Sequence, residues 1–458
     1  MKTRVLSLLL ALALLLPYLA ACDSAKTPSP ADGGTASVKP AQNTEDEESP
    51  AGTEPDYSWF EMPEETDSLV LCSTFPLTDH LTKAVEIFER LYPNVSVDWR
   101  KLGPEEYETQ MRTEIPAGTG PDLFYSDRSI LPDVYKTMSA GLFADLNPYL
   151  YADGEIDPDD YIRGIFDAGL LHGKRGLIPV SHDMTILATT EELLGEIGVT
   201  SDDLSGYDGF IDACTQFHAL HPDGCIIPDL GPDETTGLTF SGLYSFSGFR
   251  MIDYENSAVS VSEEPFRKMV DLCRLFAGND PNKMDYTDGA YISTGAVLKR
   301  ESMFSNFATS PLLMNVYQYG VESQGEKAVF LTPPSSEGGK ATEIETYGAI
   351  LASSPNRLNA WRLLKILLSD EIQGDYQTFS IVSPIRLSAI PLYLSEYDVM
   401  NTIPGLETLY KDFDRGTIRA PVLYRYVHEE MMPYIEGKKS FEDCYKKLLN
   451  TLELYKDE

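Results

Sequence analysis

Residues 118–150 read GTGPDLFYSDRSILPDVYKTMSAGLFADLNPYL, and this stretch decides the fold that we expect. A Gly-Pro turn leads into Leu123–Tyr125, an apolar run short enough to be a buried strand. The polar tripeptide Ser126–Arg128 follows where the backbone leaves the sheet, and ligands of open α/β sheets bind at the carboxyl ends of strands. A helix is predicted from about Ile130 to Ala140, because Gly141 supplies a C-terminal stop.

The residues before this stretch repeat the same alternation of strand and helix. A buried strand is predicted at Leu69–Cys72, a helix from Thr78 to Tyr92, and a second strand at Val95–Trp99. The apolar spacing of Tyr107, Met111 and Ile115 predicts the next helix. A strand, a helix and a parallel strand take a right-handed crossover, so two such units in series predict a doubly wound lobe.

Two flanking motifs carry a family resemblance. Gly-Thr-Gly-Pro-Asp precedes the strand, and Gly-Leu-Phe-Ala-Asp-Leu-Asn-Pro-Tyr-Leu follows the helix. With these flanks the chain resembles the family 1 extracellular solute-binding proteins of ABC importers. The resemblance implies an α/β fold of two doubly wound lobes joined by a three-strand hinge, as in type II periplasmic binding proteins. It also implies a monomer that captures a carbohydrate, most often an oligosaccharide, in the cleft and delivers it to the transmembrane subunits of an ABC permease. No catalytic residue, cofactor or metal is expected.

Length and charge bound the possibilities further. A chain of 458 residues exceeds what one hydrophobic core usually serves, so two lobes or domains are the default expectation. The formal net charge of -36 argues against a nucleic-acid partner, because a phosphate backbone requires clustered lysine and arginine. We interpret the acidity as a solvated surface.

The first residues have the pattern of an export signal. Lys2 and Arg4 precede the apolar run Leu6–Leu16, which is too short to span a membrane. The quartet that ends at Cys22 resembles a bacterial lipoprotein signal, which implies lipidation of Cys22 and a position at the outer face of the cell membrane. An ordinary signal peptide cut near Ala21 is the alternative. Residues 23–66 are rich in Pro, Ser, Thr, Gly, Ala and acidic residues, which predicts a disordered linker.

Five cysteines follow Cys22, so at least one is expected to stay free. Cys214 and Cys225 lie close enough in sequence for a disulfide, and buried thiols are the alternative.

The family resemblance also places the lobes along the chain. Residues 67–184 and 327–380 are assigned to lobe 1, and residues 185–326 and 381–458 to lobe 2, with the last crossing near Phe379 to Pro384. In lobe 2, helices are predicted at Tyr207–Leu220 and Pro265–Phe276. The aperiodic stretch from Gly237 to Arg250, rich in Gly, Ser, Phe and Tyr, is typical of a loop that faces a ligand.

A sugar site needs aromatic planes for stacking and planar polar groups for hydroxyl pairs. Asp127 and Arg128 match the Asp-Arg that contacts sugar in the family, and Tyr125 or Ser126 takes the place of the aromatic residue before it. A helix cap and a surface ion pair are the alternative for Asp127 and Arg128. Asp122, in the Gly-Pro-Asp motif, is interpreted as a turn and sheet residue.

The other candidate ligand contacts also come from the resemblance. Tyr347 stands where relatives place a tryptophan before glycine, and we expect it to stack on the ligand. His182 and Asp183 should line the cleft, with one of the two facing the ligand, because neighbouring strand residues point to opposite faces. Asn306 and Phe307 are the candidates from the second lobe.

Two other functions compete with this interpretation. The first is a surface enzyme such as a glycoside hydrolase with two carboxylates, and with 72 acidic residues a suitable pair can always be imagined. The second is a sensor or adhesin of the same fold that delivers nothing to a transporter. The identity of the solute stays open.

Overall fold

The computed structural model describes residues 56–74, 79–127, 131, 133–183, 185–227, 243–245, 247–277, 294–308, 311–335, 340–379, 382–395, 403 and 405–457. Of residues 127, 276–277, 306–308 and 312–313 it describes the backbone alone. The predicted signal peptide, Cys22, residues 23–55 of the predicted linker, and Arg128 lie outside these ranges. Within them, no helix combines the length and the apolarity that crossing a membrane requires.

Strands and helices alternate along most of the described chain. The strands are β1 Ser68–Thr74, β2 Ser96–Leu102, β3 Leu123–Asp127, β4 Leu170–Leu171, β5 Lys174–Arg175, β6 Ile178–Asp183, β7 Thr185–Thr190, β8 Ile252–Asp253, β9 Ala258–Val259, β10 Ser305–Ala308, β11 Ala328–Leu331, β12 Ala341–Ile350, β13 Ser383–Pro384 and β14 Arg415–Thr417. The helices are α1 Asp79–Leu91, α2 Pro104–Ala117, α3 Val134–Ser139, α4 Asn147–Asp153, α5 Arg163–Phe166, α6 Glu191–Glu196, α7 Tyr207–Leu220, α8 Glu263–Ala277, α9 Thr294–Leu298, α10 Pro311–Glu322, α11 Arg357–Leu367, α12 Asp370–Gln373, α13 Ala389–Ser395, α14 Leu406–Lys411, α15 Pro421–Ile435 and α16 Phe441–Asp457.

The large sheet has the strand order β13-β6-β12-β3-β1-β2, and β14 pairs with β12. β1 is parallel to both β2 and β3, as the two strand-helix-strand units predict. β12 is antiparallel to β3 and to β6, so β6 runs in the same direction as β3. The carboxyl ends of β1, β3 and β6 therefore lie at one edge of the sheet.

The apolar face of this sheet packs against its crossover helices. Leu69 and Leu71 of β1, Phe88 of α1 and Trp361 of α11 are fully buried in the first hydrophobic core. Trp361 also donates its indole N–H to Asp153 Oδ2 at 2.8 Å. Trp361 is therefore a core residue.

A small sheet of three antiparallel strands, β10-β7-β11, separates the two cores. Ile186 and Ala188 of β7 belong to the first core, whereas Leu187 points to the second. The second core is mainly helical and is built from α7, α8, α15 and α16. The two-lobed α/β prediction is confirmed, and the described sheet of the second lobe is antiparallel throughout.

Along the residues that the structure describes, the chain passes between the large sheet and the second lobe three times. It leaves between β6 and β7 and returns between β11 and β12. The third crossing lies at Arg419, between Ile418 of the first core and Ala420 of the second. The prediction of a crossing near residue 381 is wrong, because β13 joins the large sheet and the apolar faces of α13 and α14 pack into the first core.

The predicted linker is too long at its C-terminal end. Phe60 packs on Tyr149 with the ring centroids 4.8 Å apart, and Asn359 Nδ2 donates to the Thr66 carbonyl at 3.0 Å. Residues 56–66 therefore contact the first lobe, since their few apolar side chains find partners there that composition alone does not reveal.

Two further local predictions are settled. The helix after β3 begins at Val134 rather than near Ile130, because the Asp133 carboxylate accepts from the Lys136 N–H and caps it. All five described cysteines are buried free thiols, so Cys214 and Cys225 do not form a disulfide. Burial raises the pKa of the Cys214 thiol well above its ordinary value.

Candidate functional site

The carboxyl edge of the large sheet is the first part of the candidate site. Asp127, the last residue of β3, pairs with Thr346 of β12. Asp183, the last residue of β6, pairs with Glu343 of the same strand. Opposed residues of an antiparallel pair project from the same face, so Asp183 and Glu343 stand side by side at this edge.

The structure places Tyr125 and Ser126 in the interior rather than at this edge. Tyr125 is 2% exposed and Ser126 is fully buried. The Tyr125 hydroxyl hydrogen-bonds to His80 Nε2 and donates to Thr346 Oγ1 at 2.9 Å. The prediction that one of them contacts ligand is not supported, because β3 is covered on both sides where these residues lie.

Tyr347 is likewise a core residue. It is 1% exposed and lies in the middle of β12, between β3 and β6. Its ring centroid is 6.3 Å from that of Phe124. The expected stacking platform is therefore wrong in this conformation, because the side chain packs in the first hydrophobic core beside Phe124.

His182 and Asp183 divide as strand alternation requires. His182 is fully buried, with Nδ1 3.1 Å from Thr342 Oγ1 and its ring centroid 5.1 Å from that of Phe413. Burial lowers the pKa of His182 to about 3, so the ring is neutral. Asp183 is half-buried and is the member of the pair that reaches the edge.

Two buried histidines predict a loss of stability in mild acid. Burial lowers the pKa of His80 to about 4 and that of His182 to about 3, against 6.5 for both in an unfolded chain. Between pH 6.5 and these values the unfolded chain binds protons that the folded chain does not, so the free energy of unfolding falls as the pH falls. We expect a loss of about 2 kcal/mol per histidine between pH 7.5 and pH 5.

Urea denaturation of the wild type and of His80→Gln at both pH values measures this effect. The variant should lose about 2 kcal/mol less than the wild type on acidification. The same substitution at exposed His172 is the matched control. Equal pH dependence in the wild type and His80→Gln would contradict a neutral, buried His80.

The remaining predicted contacts are positioned only in part. The backbone of Asp127 ends β3, and Arg128 lies outside the described residues. Asn306 and Phe307 lie on β10, where their backbones pair with Leu187 and Ile186 of β7. Their side chains are not among those described.

A cavity of about 300 Å³ lies between the two cores. Its walls combine residues of the first lobe with residues of the second and with the third crossing. They are Tyr135, Leu171, Tyr244, Ser245, Phe249, Arg250, Met251, Ile252, Asp253, Tyr254, Glu255, Ser260, Glu343, Thr417, Ile418, Arg419, Ala420 and Leu423. The volume is at the lower end of the roughly 300–1,000 Å³ typical of ligand pockets.

One wall of the cavity is a buried ion pair. Arg419 Nε donates to Glu343 Oε1 at 2.7 Å and its Nη2 donates to Oε2 at 2.8 Å. The same guanidinium donates to the Ser245 hydroxyl of the second lobe. Glu343 is 1% exposed, so its carboxylate is shielded from water. The two parallel hydrogen bonds fix the guanidinium against it. Arg419 thus joins both lobes at the crossing.

A second part of the lining is aromatic. Tyr135 of α3 and Tyr254 of the second lobe stack with centroids 5.6 Å apart and an interplanar angle of 23°. The hydroxyls of Tyr254 and Tyr455 donate to the carboxylate of Asp133, the latter at 2.8 Å. Burial raises the pKa of Asp133, and these phenols lower it in part. The stacked rings are thereby fixed across the seam between the lobes.

Sequence reasoning found one part of this cavity and missed another. The stretch from Gly237 to Arg250 was expected to face a ligand, and its described residues Tyr244, Ser245, Phe249 and Arg250 line the cavity. Arg419 was missed, because nothing in its local sequence marks it. An arginine that lies between two apolar segments needs an acidic partner when it is buried. That requirement is the signal by which Arg419 could have been found.

The comparisons with known proteins agree with this architecture. The model of the family described as bacterial extracellular solute-binding protein matches residues 76–374, more than half of the chain. No curated relative matches the chain.

Solved structures share the fold at low identity. The sugar-binding protein MalE from Xanthomonas citri is 17% identical, with a TM-score of 0.63 over 85% of this chain and 97% of that one. The cyclic alpha-maltosyl-1,6-maltose binding protein from Arthrobacter globiformis is 15% identical, with a TM-score of 0.56 over 86% and 99%. An ABC transporter solute-binding protein from Thermotoga lettingae, bound with alpha-D-tagatose, is 17% identical, with a TM-score of 0.52 over 85% and 100%.

At these identities the structures establish the fold, and the family match establishes kinship. The three crossings and the cavity between two cores are the features that a hinged binding protein requires. The chain belongs to the bacterial extracellular solute-binding protein family.

Proposed function

We propose that this protein is the substrate-binding lipoprotein of an ABC importer, which captures a carbohydrate between its lobes and delivers it to a membrane permease. The observation that carries the proposal is the cavity, whose walls pair stacked aromatic rings with an arginine, a carboxylate and a serine hydroxyl. Aromatic faces pack against the C–H faces of sugar rings, and planar charged groups bind adjacent hydroxyls. Similar structures include proteins described as binding sugars.

Hinge closure follows from how the lobes are joined. Three crossings connect them, and residues from both lobes line the cavity. A ligand that touches both walls stabilises the closed arrangement by the contacts that an open arrangement lacks. The permease then recognises the closed protein. This cycle involves binding and release, with no covalent step, no catalytic residue and no cofactor.

Five residues remain proposed ligand contacts. Asp127 ends β3 and Arg128 comes next in sequence, Asp183 ends β6, and Asn306 and Phe307 lie on β10. Asp183 is the one among them that is paired with a residue of the cavity, Glu343.

The proposal also assigns the location and the assembly of the protein. Lipidation at Cys22 holds a monomer at the outer face of the cell membrane, and residues 23–55 provide reach to the permease.

A thermal-shift screen against mono- and oligosaccharides tests the proposal. A carbohydrate at about 100 times its Kd adds ~2.7 kcal/mol to the stability of a folded state that alone binds it. We expect Asp127→Ala to abolish the resulting rise in Tm while leaving the Tm of the unliganded protein nearly unchanged. Asp98→Ala, on the exposed strand β2, is the matched control and should keep the shift.

Two outcomes would count against the proposal. A full shift in Asp127→Ala would remove Asp127 from the site. Turnover of the shifting sugar during incubation would favour the surface enzyme instead.

A further inference from the structure

A second, more polar space adjoins the cavity. A groove of about 460 Å³ shares Phe249, Arg250 and Ser260 with the cavity. Its other described lining residues are Gly248, Ser262, Pro265 and Arg415. Phe249, Arg250 and Ser260 therefore border both the cavity and the groove.

The charged groups of the cavity are accounted for, with one exception. Glu343 binds Arg419, and Glu255 Oε2 lies 3.0 Å from Nδ1 of His172. Asp253 accepts from the side-chain amide of Asn256 at 2.7 Å and from backbone N–H groups of its own turn. Arg250 makes no ion pair with any residue that the structure describes, and its guanidinium carbon lies 5.9 Å from the centroid of Tyr135.

The groove has a positive lining. Of the described residues that line it, the charged ones are Arg250 and Arg415, and the hydroxyl-bearing ones are Ser260 and Ser262. Arg415 reaches it from β14 of the large sheet and donates to the Gly248 carbonyl at 2.9 Å. Arg250 comes from the second lobe, so the two lobes each contribute a guanidinium.

This lining contrasts with the rest of the protein, whose formal net charge is -36. Guanidinium groups bind carboxylates and phosphates through paired, charge-assisted hydrogen bonds, and serine hydroxyls add further donors.

We propose that the ligand is an acidic carbohydrate, a sugar that carries an oxyanion such as a uronate carboxylate or a phosphate ester. Its ring occupies the aromatic cavity, and its oxyanion lies in the groove against Arg250 and Arg415. The inference rests on the proposed function and specifies the class of carbohydrate. It also assigns Arg250 as the residue that selects acidic over neutral sugars.

Isothermal titration at low ionic strength tests the inference with four probes: glucose, glucuronate, glucose 6-phosphate and inorganic phosphate. At least one acidic sugar should bind at least 10-fold tighter than glucose, the size of one charge-assisted hydrogen-bond pair. Comparing glucuronate with glucose 6-phosphate distinguishes a carboxylate from a phosphate as the preferred oxyanion. A screen of other uronates and sugar phosphates extends the same comparison to other ring stereochemistries.

Arg250→Gln should remove most of the preference for the acidic sugar, and Arg250→Lys should restore part of it. Arg112→Gln is the matched control, since it removes the same charge from an exposed position on α2. It should retain the full preference. Because Arg250 is exposed, the variants should keep the fold, which their unliganded Tm verifies.

The outcomes separate the inference from the proposed function. Neutral sugars binding as tightly as their acidic counterparts would overturn the inference and leave carbohydrate capture intact. Inorganic phosphate binding as tightly as glucose 6-phosphate would also overturn it, because the sugar ring would then contribute nothing. Failure of every carbohydrate in the wider screen would reject the proposed function itself.

Discussion

Arg419→Met should lower the free energy of unfolding by about 3–5 kcal/mol. The substitution keeps much of the side-chain volume but removes the two hydrogen bonds that Arg419 donates to Glu343, which is 1% exposed. A buried carboxylate that loses an arginine keeps the cost of lost hydration and loses the attraction of that charge. Urea denaturation at pH 7.5, monitored by circular dichroism, measures the loss.

A double-mutant cycle separates the ion pair from the packing. Arg419→Met combined with Glu343→Leu removes both charges, and we expect the double variant to recover most of the stability that the single variant loses. Arg112→Met, which breaks a surface pair with Glu108, is the control and should cost less than about 1 kcal/mol. A loss of similar size in Arg419→Met and Arg112→Met would show that the buried pair contributes little.

The same pair links stability to binding. Arg419 stands at the third crossing and also donates to Ser245 of the second lobe. Because Arg419 contacts both lobes, it positions the polar wall of the cavity. The double variant lacks that wall, so it should keep its fold but bind carbohydrate more weakly than the wild type.

Local pattern sufficed for the elements whose partners are near in sequence. Helix α7 has the predicted bounds, Tyr207–Leu220, because its apolar spacing and the polar residues that flank it are both local. The strand-helix-strand units gave the parallel pairing of β1 with β2 and β3. These features follow from periodicity and chain connectivity alone.

Burial of individual side chains was harder to predict. Tyr347 and Tyr125 have the composition of a ligand platform, yet each lies in a strand with neighbours on both sides. Whether an aromatic ring faces a cleft or a core depends on the register of strands more than 150 residues apart. The sequence carries no local signal for that register.

The cavity shows the same limit from the other direction. Arg419 and Glu343 are 76 residues apart in sequence, and Tyr135 and Tyr254 stack although they come from different lobes. The third crossing was misplaced for a related reason, since α13 and α14 are amphipathic helices that either core would accept. Only the tertiary structure shows that both helices pack into the first core.

Asp122→Ala should cost about 3 kcal/mol or more of the free energy of unfolding, because its carboxylate serves three buried or partly buried donors. It accepts from the Val70 N–H at 2.6 Å, from Ser354 Oγ at 2.6 Å and from Asn356 Nδ2 at 3.0 Å. These bonds tie β1, the start of β3 and the segment after β12 together, which agrees with a turn and sheet role for the Gly-Pro-Asp motif.

The Asp122 substitution separates a structural aspartate from a binding one. Asp122→Ala should lower the urea midpoint while leaving the sugar affinity of the folded fraction unchanged. Asp127→Ala should lower the sugar affinity while leaving the urea midpoint nearly unchanged. Ser354→Ala removes a single donor and should cost only about 1 kcal/mol. If Asp122→Ala kept the wild-type midpoint, the three bonds would not hold these segments together. A loss of affinity without loss of stability would move Asp122 into the binding site.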